Sequence, residues 1–223
     1  MCARYTQHHT AAQITERFEV KELQLPIRLS YNIAPGQIVA AILEAQGRQV
    51  AGLKWGLVPF WAKDPSVGSQ MINARSETLR SKPAFRQALR QRRCLVPADG
   101  FFEWTGPAKK RQPMHIRLRN QELFAFAGLW EEWQSPANDR LRTCTIVTVP
   151  ANALIQPIHP RMPAMLGPKD HARWLDPNVR GAETAISLLR PYPAEEMELY
   201  PVSAQVNSPA VDDPTDVPIA LKR

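Results

Sequence analysis

Apolar positions along the chain fall in short runs rich in β-branched and aromatic side chains, separated by turn residues, a pattern that predicts many strands and few helices. Tyr31-Asn-Ile-Ala-Pro-Gly36 reads as a turn into a strand over 38–43, with residues 49–57 as its partner. Further strands are predicted near 94–96, 101–104, 114–118, 123–129, 143–149 and 198–202. Helical patterns are brief. Thr10 to Phe18 carries the Thr-x-x-Gln spacing of a capping box at Thr10 and Gln13. Lys82 to Arg92 has Pro83 in its first turn, where proline is tolerated. Two more helices are expected at 169–175 and 183–189, and the Pro- and Asp-rich end from about 207 to 223 is expected to be extended. No repeat, low-complexity tract or Gly/Ser linker divides the chain. The expectation is a single α+β domain over 1–223, with a mostly antiparallel, barrel-like β core and peripheral short helices.

Composition sharpens this picture at two points. The 21 prolines among 223 residues are about twice the usual share of roughly 5%, which excludes long uninterrupted helices. The net charge of +7 points to an anionic partner such as nucleic acid, although arginine enrichment alone also follows from a GC-rich genome. Hydrophobic and charged fractions of 44% and 22% are those of a globular protein and exclude disorder over most of the length. No apolar run approaches the roughly 18 residues of a membrane span, and Met1-Cys-Ala-Arg-Tyr lacks the apolar run of a secretory signal, so a cytoplasmic protein is expected. Cys2, Cys94 and Cys144 show no C-x-x-C spacing. Neither a disulfide framework nor a zinc site is indicated, and Cys94 and Cys144 read as buried small hydrophobes. His8 and His9 have no carboxylate or cysteine companion at ligand spacing, so no metal is expected.

Cys2 follows the initiator methionine directly, and its excision would make Cys2 the N-terminus. The α-amine and thiol would then form a 1,2-aminothiol, which condenses with an aldehyde to a Schiff base and closes to a five-membered thiazolidine. Such chemistry needs proton-transfer partners. Glu103, flanked by aromatics in Gly100-Phe-Phe-Glu-Trp104, and His159, held between prolines in Gln156-Pro-Ile-His-Pro-Arg161, are the candidates. Taken alone, Glu103 reads rather as a strand-surface carboxylate and His159 as a structural loop histidine. Asn73 and Arg75 alternate so as to share one face of an extended segment, where an amide could orient the Cys2 amine and a guanidinium could hold a phosphate. Arg4 and Arg161 lie two residues from Cys2 and His159. Trp55, Phe60 and Trp61 offer flat surfaces for unstacked bases, Trp55 being the first choice for a core role instead.

The ordered set Met1-Cys-Ala-Arg-Tyr, Tyr31-Asn-Ile-Ala-Pro, Lys54-Trp-Gly-Leu-Val-Pro, Asn73-Ala-Arg-Ser-Glu-Thr, Arg93-Cys-Leu-Val-Pro-Ala-Asp-Gly-Phe-Phe-Glu-Trp104, Ile158-His-Pro-Arg-Met-Pro163 and Val206-Asn-Ser-Pro209 resembles the SOS-response-associated peptidase family. Each motif is weak and the set is specific. The resemblance implies a barrel-like single domain that binds single-stranded DNA and crosslinks to abasic sites through the mature N-terminal cysteine, shielding them in DNA repair. It implies Cys2 as nucleophile, Asn73 as the residue orienting it, and Glu103 and His159 as the acid/base pair. Arg4, Arg75 and Arg161 would contact phosphate, with Trp61 joining the DNA surface. It also implies self-processing that removes Met1, with lyase-type cleavage as a related activity. No cofactor, metal or membrane enters this chemistry, and a monomer suffices.

Two positions depart from the family pattern, which usually has Gly at Ala3 and Asp or Asn at Pro160. A residue with φ > 0 would be costly at Ala3, and Pro160 removes a polar neighbour and a backbone donor. Two other readings stand beside this one: a thiol peptidase acting on other proteins, with His159 as base to Cys2, and a non-catalytic basic module that binds nucleic acid.

Overall fold

The computed structural model describes residues 2–107, 110–179 and 181–213. Its strands are β1 (Tyr5–Gln7), β2 (Glu22–Leu23), β3 (Ser30–Ile33), β4 (Ile38–Glu44), β5 (Arg48–Trp55), β6 (Asn73–Arg75), β7 (Arg93–Ala98), β8 (Gly100–Thr105), β9 (Gln112–Leu118), β10 (Phe124–Gln134), β11 (Arg140–Pro150), β12 (Arg161–Pro163), β13 (Met165–Leu166) and β14 (Met197–Pro201). The helices are α1 (Ala11–Phe18), α2 (Pro83–Gln91), α3 (Pro168–Leu175) and α4 (Ala182–Ile186). At α1 both capping-box bonds form: Gln13 N–H donates to Thr10 Oγ1, and Thr10 N–H donates to Gln13 Oε1.

Strands β11, β10, β7, β4 and β5 pair in that order, and β5 returns to β11, closing a five-stranded barrel. Closure is parallel, through Thr143–Cys144 against Lys54–Trp55, while the other four pairings are antiparallel. Val58 N–H donates to the buried Thr143 hydroxyl at 2.9 Å, so the seam carries a side-chain bond as well as the ladder. A second sheet, in the order β14-β9-β8-β1-β3, lies alongside. The expected mixed α+β architecture with a barrel-like core is thus present.

The strand pattern located most elements to within a few residues and missed the shortest. Ser30–Ile33, expected as part of a turn, is strand β3, and β1, β2, β12 and β13 had no sequence signal. Such strands are too short to alternate, and long-range pairing alone defines them. A 3-10 helix over Ala204–Asn207 leads into the C-terminal segment expected to be extended from about 207, of which residues 208–213 form neither helix nor strand and 214–223 lie outside the described residues. Among the described residues no helix is long and apolar enough to cross a membrane.

Trp55, Cys94 and Cys144 are buried, as expected. Helix α3 docks on β7 through Arg93, whose guanidinium donates to the Trp174 and Asp176 carbonyls, while Trp174 Nε1 donates to Cys94 O. Gly56 ends β5 with φ of +133°, and a Cβ there would lie 2.7 Å from the Gly68 carbonyl oxygen. Only glycine lets the chain leave the barrel into the loop that carries Phe60 and Trp61.

Burial of His171 against Phe18 holds its imidazole neutral, and desolvation pulls its pKa down to about 4 from an ordinary 6.5. The unfolded chain takes up a proton near pH 6.5 that the folded ring refuses until about pH 4, so this stability is present above pH 6.5 and is lost on acidification. His171→Gln is expected to shrink the fall in unfolding free energy between pH 7 and pH 4.5 by about 1–3 kcal/mol. Urea titrations of both proteins at the two pH values check this, and an undiminished fall in the variant would refute it.

Candidate active site

The site is assembled where β10 and β11 part. They pair only as far as Gly128 and Ile146, and the β12–β13 segment then enters between them. Ala127 N–H donates to Ala164 O, and Ala164 N–H donates to Val147 O. On its other edge β11 takes β6, with Asn73 opposite Ile146 and Arg75 opposite Thr148. A single strand thereby brings Asn73, Arg75 and Arg161 to one end of the barrel, with His159 on the turn just before β12. Alternation in β6 buries Ala74 and turns the Asn73 and Arg75 side chains the other way, the shared face expected from their spacing.

The second sheet delivers the other half. β1 and β8 are antiparallel, Tyr5 opposite Phe101, and Phe102 N–H donates to Arg4 O. Continuing that ladder carries Cys2 toward Glu103. Cys2 is fully buried, its carbonyl accepts from Asn73 Nδ2 at 2.8 Å, and its thiol lies 3.8 Å from Arg4 O. Burial pushes the thiol pKa well up, and the nearby Glu103 carboxylate pushes it further. Glu103 is itself buried, and desolvation raises its pKa while the neighbouring His159 opposes the rise. Asn73 Oδ1 is buried with no hydrogen-bond partner among the described residues, leaving a free acceptor in the site.

His159 Nδ1 lies 3.0 Å from both the N–H and the carbonyl oxygen of Arg161. A neutral ring accepts from the amide there and an imidazolium donates to the carbonyl, so one position serves both protonation states. Pro160 costs the site little, because Arg161 supplies the backbone donor and the Pro160 carbonyl accepts from Ala151 N–H. Ala3 is not among the residues with positive φ, so its methyl group introduces no backbone strain.

The three arginines occupy different settings. Arg75 is exposed and has no ion-pair partner among the described residues. Arg161 grips the Glu77 carboxylate with two nitrogens, at 2.5 and 3.0 Å, and also donates to Thr148 O. Glu77 gave no sequence signal beyond its membership of a motif. Arg4 is directed inward: its Nη1 donates to Asn32 Oδ1 and Val206 O, both at 2.6 Å, and its Nη2 to Asn207 O at 3.4 Å. Asn32 Nδ2 adds bonds to Ser208 O and Val211 O, and Trp104 Nε1 donates to Asn207 Oδ1. Arg4 and Asn32 therefore hold the 206–211 segment across the second sheet. Phe60 and Trp61 stand out on the surface, 49% and 53% exposed, while Trp55 is tied inside by Nε1 to Ile72 O.

The sequence model of the family described as SOS response associated peptidase matches residues 1–209. The chain belongs to that family. A *Bacillus subtilis* relative named abasic site processing protein YoqW is 43% identical over 219 residues, covering 96% of this chain and 97% of its own. The chicken protein named abasic site processing protein HMCES is 34% identical over 228 residues, covering 87% of this chain and 67% of its own. A crystal structure of a *Bacteroides thetaiotaomicron* protein superposes with a TM-score of 0.87 at 28% identity, covering 99% of this chain and all of that one. The matched span of this SOS response associated peptidase family member contains Cys2, Asn73, Glu103 and His159.

One expectation about this part of the chain is corrected. His8 and His9 do have a carboxylate companion, Asp99, with Nδ1 to carboxylate distances of 2.9 and 3.1 Å. It joins them from the distant β7–β8 turn, where sequence spacing gives no hint.

Arg4→Lys is expected to release the 206–211 segment, because one ammonium cannot span three acceptors held by a planar fork. Amide exchange in that segment should speed by about tenfold or more while the barrel amides keep their protection. Exchange mass spectrometry checks this, and unchanged protection at 206–211 would refute it.

Proposed function

We propose that this chain processes abasic sites in single-stranded DNA by covalent capture through Cys2. Removal of Met1, by self-processing, hydrolyses the Met1–Cys2 amide and frees the α-amine. The amine adds to the aldehyde carbon of a ring-opened abasic deoxyribose, and the resulting carbinolamine loses water to give a Schiff base. The thiol then adds to the imine carbon, its proton passes to nitrogen, and a thiazolidine closes. Glu103, whose pKa burial raises, donates to the departing hydroxyl, and His159 relays the thiol proton. Asn73 holds the Cys2 carbonyl and offers its free Oδ1 to the new amine. Should a base take a proton from the sugar carbon next to the imine before the ring closes, strand cleavage of the lyase type follows.

The observation that carries this reading is the setting of Cys2: buried, anchored by Asn73, and bearing a thiol whose pKa is raised by burial and by Glu103. A thiol peptidase requires the opposite, a thiol whose pKa is lowered beside a cation or helix N-terminus. Here the amine is the better first nucleophile and the thiol a second one delivered with its proton. The names of the relatives, which cover nearly the whole chain, supply the substrate class. Arg75 and Trp61 present a free cation and a stacking surface to the strand. Arg161 joins them by exchanging Glu77 for a phosphate, and Arg4 keeps the wall behind Cys2 in place.

Mature protein should give a stable adduct with abasic single-stranded DNA on denaturation, whereas a variant retaining Met1 should bind the DNA and give none. Intact-mass measurement of both forms is the test, and an equal yield from the Met1-retaining form would sink the thiazolidine route. Glu103→Gln and His159→Gln should each bind DNA nearly normally and slow adduct formation or reversal by about 10²–10⁴-fold. Single-turnover rates unchanged in both directions would remove these residues from acid/base roles.

A further inference from the structure

The β1–β8 ladder that brings Cys2 to Glu103 at one end brings His8 and His9 to Asp99 at the other. From that far end we infer a divalent metal site of the zinc class, with His8 Nδ1, His9 Nδ1 and the Asp99 carboxylate as protein ligands. The inference is independent of the reading of Cys2.

Donor geometry comes first. The two nitrogens lie 2.9 and 3.1 Å from the carboxylate oxygens, and all three ligand atoms fall within 4.8 Å of one another. An ion bound tetrahedrally at about 2.0–2.2 Å keeps neighbouring donors about 3.3–3.5 Å apart, so a small outward shift of each ring admits it. Binding leaves each imidazole neutral, its remaining proton on Nε2 and its Nδ1 lone pair on the ion.

The surroundings hold the donors in place before any ion arrives. Asp99 is buried, and its two oxygens accept from the Thr6 hydroxyl and from His8 N–H, at 2.5 and 2.6 Å, which fixes the carboxylate plane. His8 stacks on Tyr31 with ring centres 5.4 Å apart and an interplanar angle of 13°, and on His9 at 5.3 Å. Both rings are thus oriented by contacts other than the proposed ligand bonds. The outer side is open, His8 being 41% exposed, so water can complete the coordination.

Two imidazoles and one carboxylate select Zn²⁺, Co²⁺ or Ni²⁺ over Mg²⁺ and Ca²⁺, which prefer sets of oxygens. The ion would join the end of β1 to the turn entering β8, the same two strands that carry Cys2 and Glu103. Its role is structural: it fixes one end of the short β1–β8 ladder.

The test uses the full chain, without an affinity tag, in a Cys2→Ser background that removes the competing aminothiol. Titration with Co²⁺ should show one equivalent bound, with d–d absorption typical of nitrogen and oxygen ligands and no thiolate charge-transfer band. Zn²⁺ should displace it, and at a hundredfold excess over Kd should raise Tm by about 5–10 °C. His8→Ala, at an exposed position, and His9→Ala should each weaken binding by tenfold or more and abolish the rise in Tm. Circular dichroism confirms the folding of each variant. No binding of Co²⁺ or Zn²⁺ to the folded protein at millimolar metal, or binding equally tight in both variants, would overturn the site.

Discussion

One strand, β11, has to satisfy hydrogen-bonding groups on both edges along eleven residues, and the architecture is arranged around that requirement. Residues 143–149 are buried throughout, so each peptide group there needs a partner. On one edge Gly56 N–H donates to Cys144 O, and two residues later Ile146 N–H donates to Ile72 O, so β5 closes the barrel and β6 takes over where β5 ends. On the other edge β10 serves the first half, and the β12–β13 segment serves the second. The functional end of the barrel exists because neither neighbour runs the full length of β11. Each replacement strand carries a chemical group: Asn73 and Arg75 arrive with β6, Arg161 with β12, and His159 on its lead-in turn.

The second constraint is the burial of Cys2, the proposed nucleophile. A cysteine enclosed next to a carboxylate is poorly suited to act as a thiolate, since both desolvation and the Glu103 charge favour its protonated form. The same enclosure suits an order of events in which nitrogen attacks first and sulfur follows, because the second step delivers a neutral thiol to an adjacent imine a fixed distance away. Burial also shifts Glu103 toward its protonated form, the one the proposed loss of water requires. Desolvation therefore raises the pKa of both groups together, which suits an acid at Glu103 and disfavours a thiolate at Cys2.

Much of this was legible in the chain itself, for identifiable reasons. Long strands such as β4, β5 and β11 contain enough alternating or β-branched positions to declare themselves, and the Thr10–Gln13 box marks a helix start by local chemistry alone. The candidate site residues drew notice through a cysteine behind Met1, an Asn-x-Arg alternation and a histidine between prolines, and through the ordered set of motifs they belong to. What depends on distance along the chain was not. Nothing near Arg4 announces that its guanidinium reaches Val206, nothing near Arg161 announces Glu77, and His8 gives no sign of Asp99, 91 residues away. Short strands such as β12 were invisible for the same reason, being extended only because β11 offers them an edge, whereas β6 showed itself only through its Asn-x-Arg alternation.

The arginines show how the same residue type divides into roles by what it is paired with. Arg4 is half-buried, its Nη1 and Nη2 donate to protein oxygens, and removing it would leave the Asn32 amide oxygen and two backbone carbonyls to find other donors. Arg161 differs because its main partner is expendable. Glu77 is about half exposed while Arg161 is largely buried, and a phosphate would offer the same fork two oxygens and a comparable or greater charge. Under the proposed function Arg161 exchanges Glu77 for phosphate while Thr148 O still accepts from its guanidinium. Arg75, exposed and without an ion-pair partner among the described residues, needs no such exchange under the proposed function. Arg4 instead is committed to the wall behind Cys2. Net positive charge favours a polyanion without choosing where it sits, and it is the partners of the individual arginines that distinguish a cation open to a phosphate from one spent on the fold.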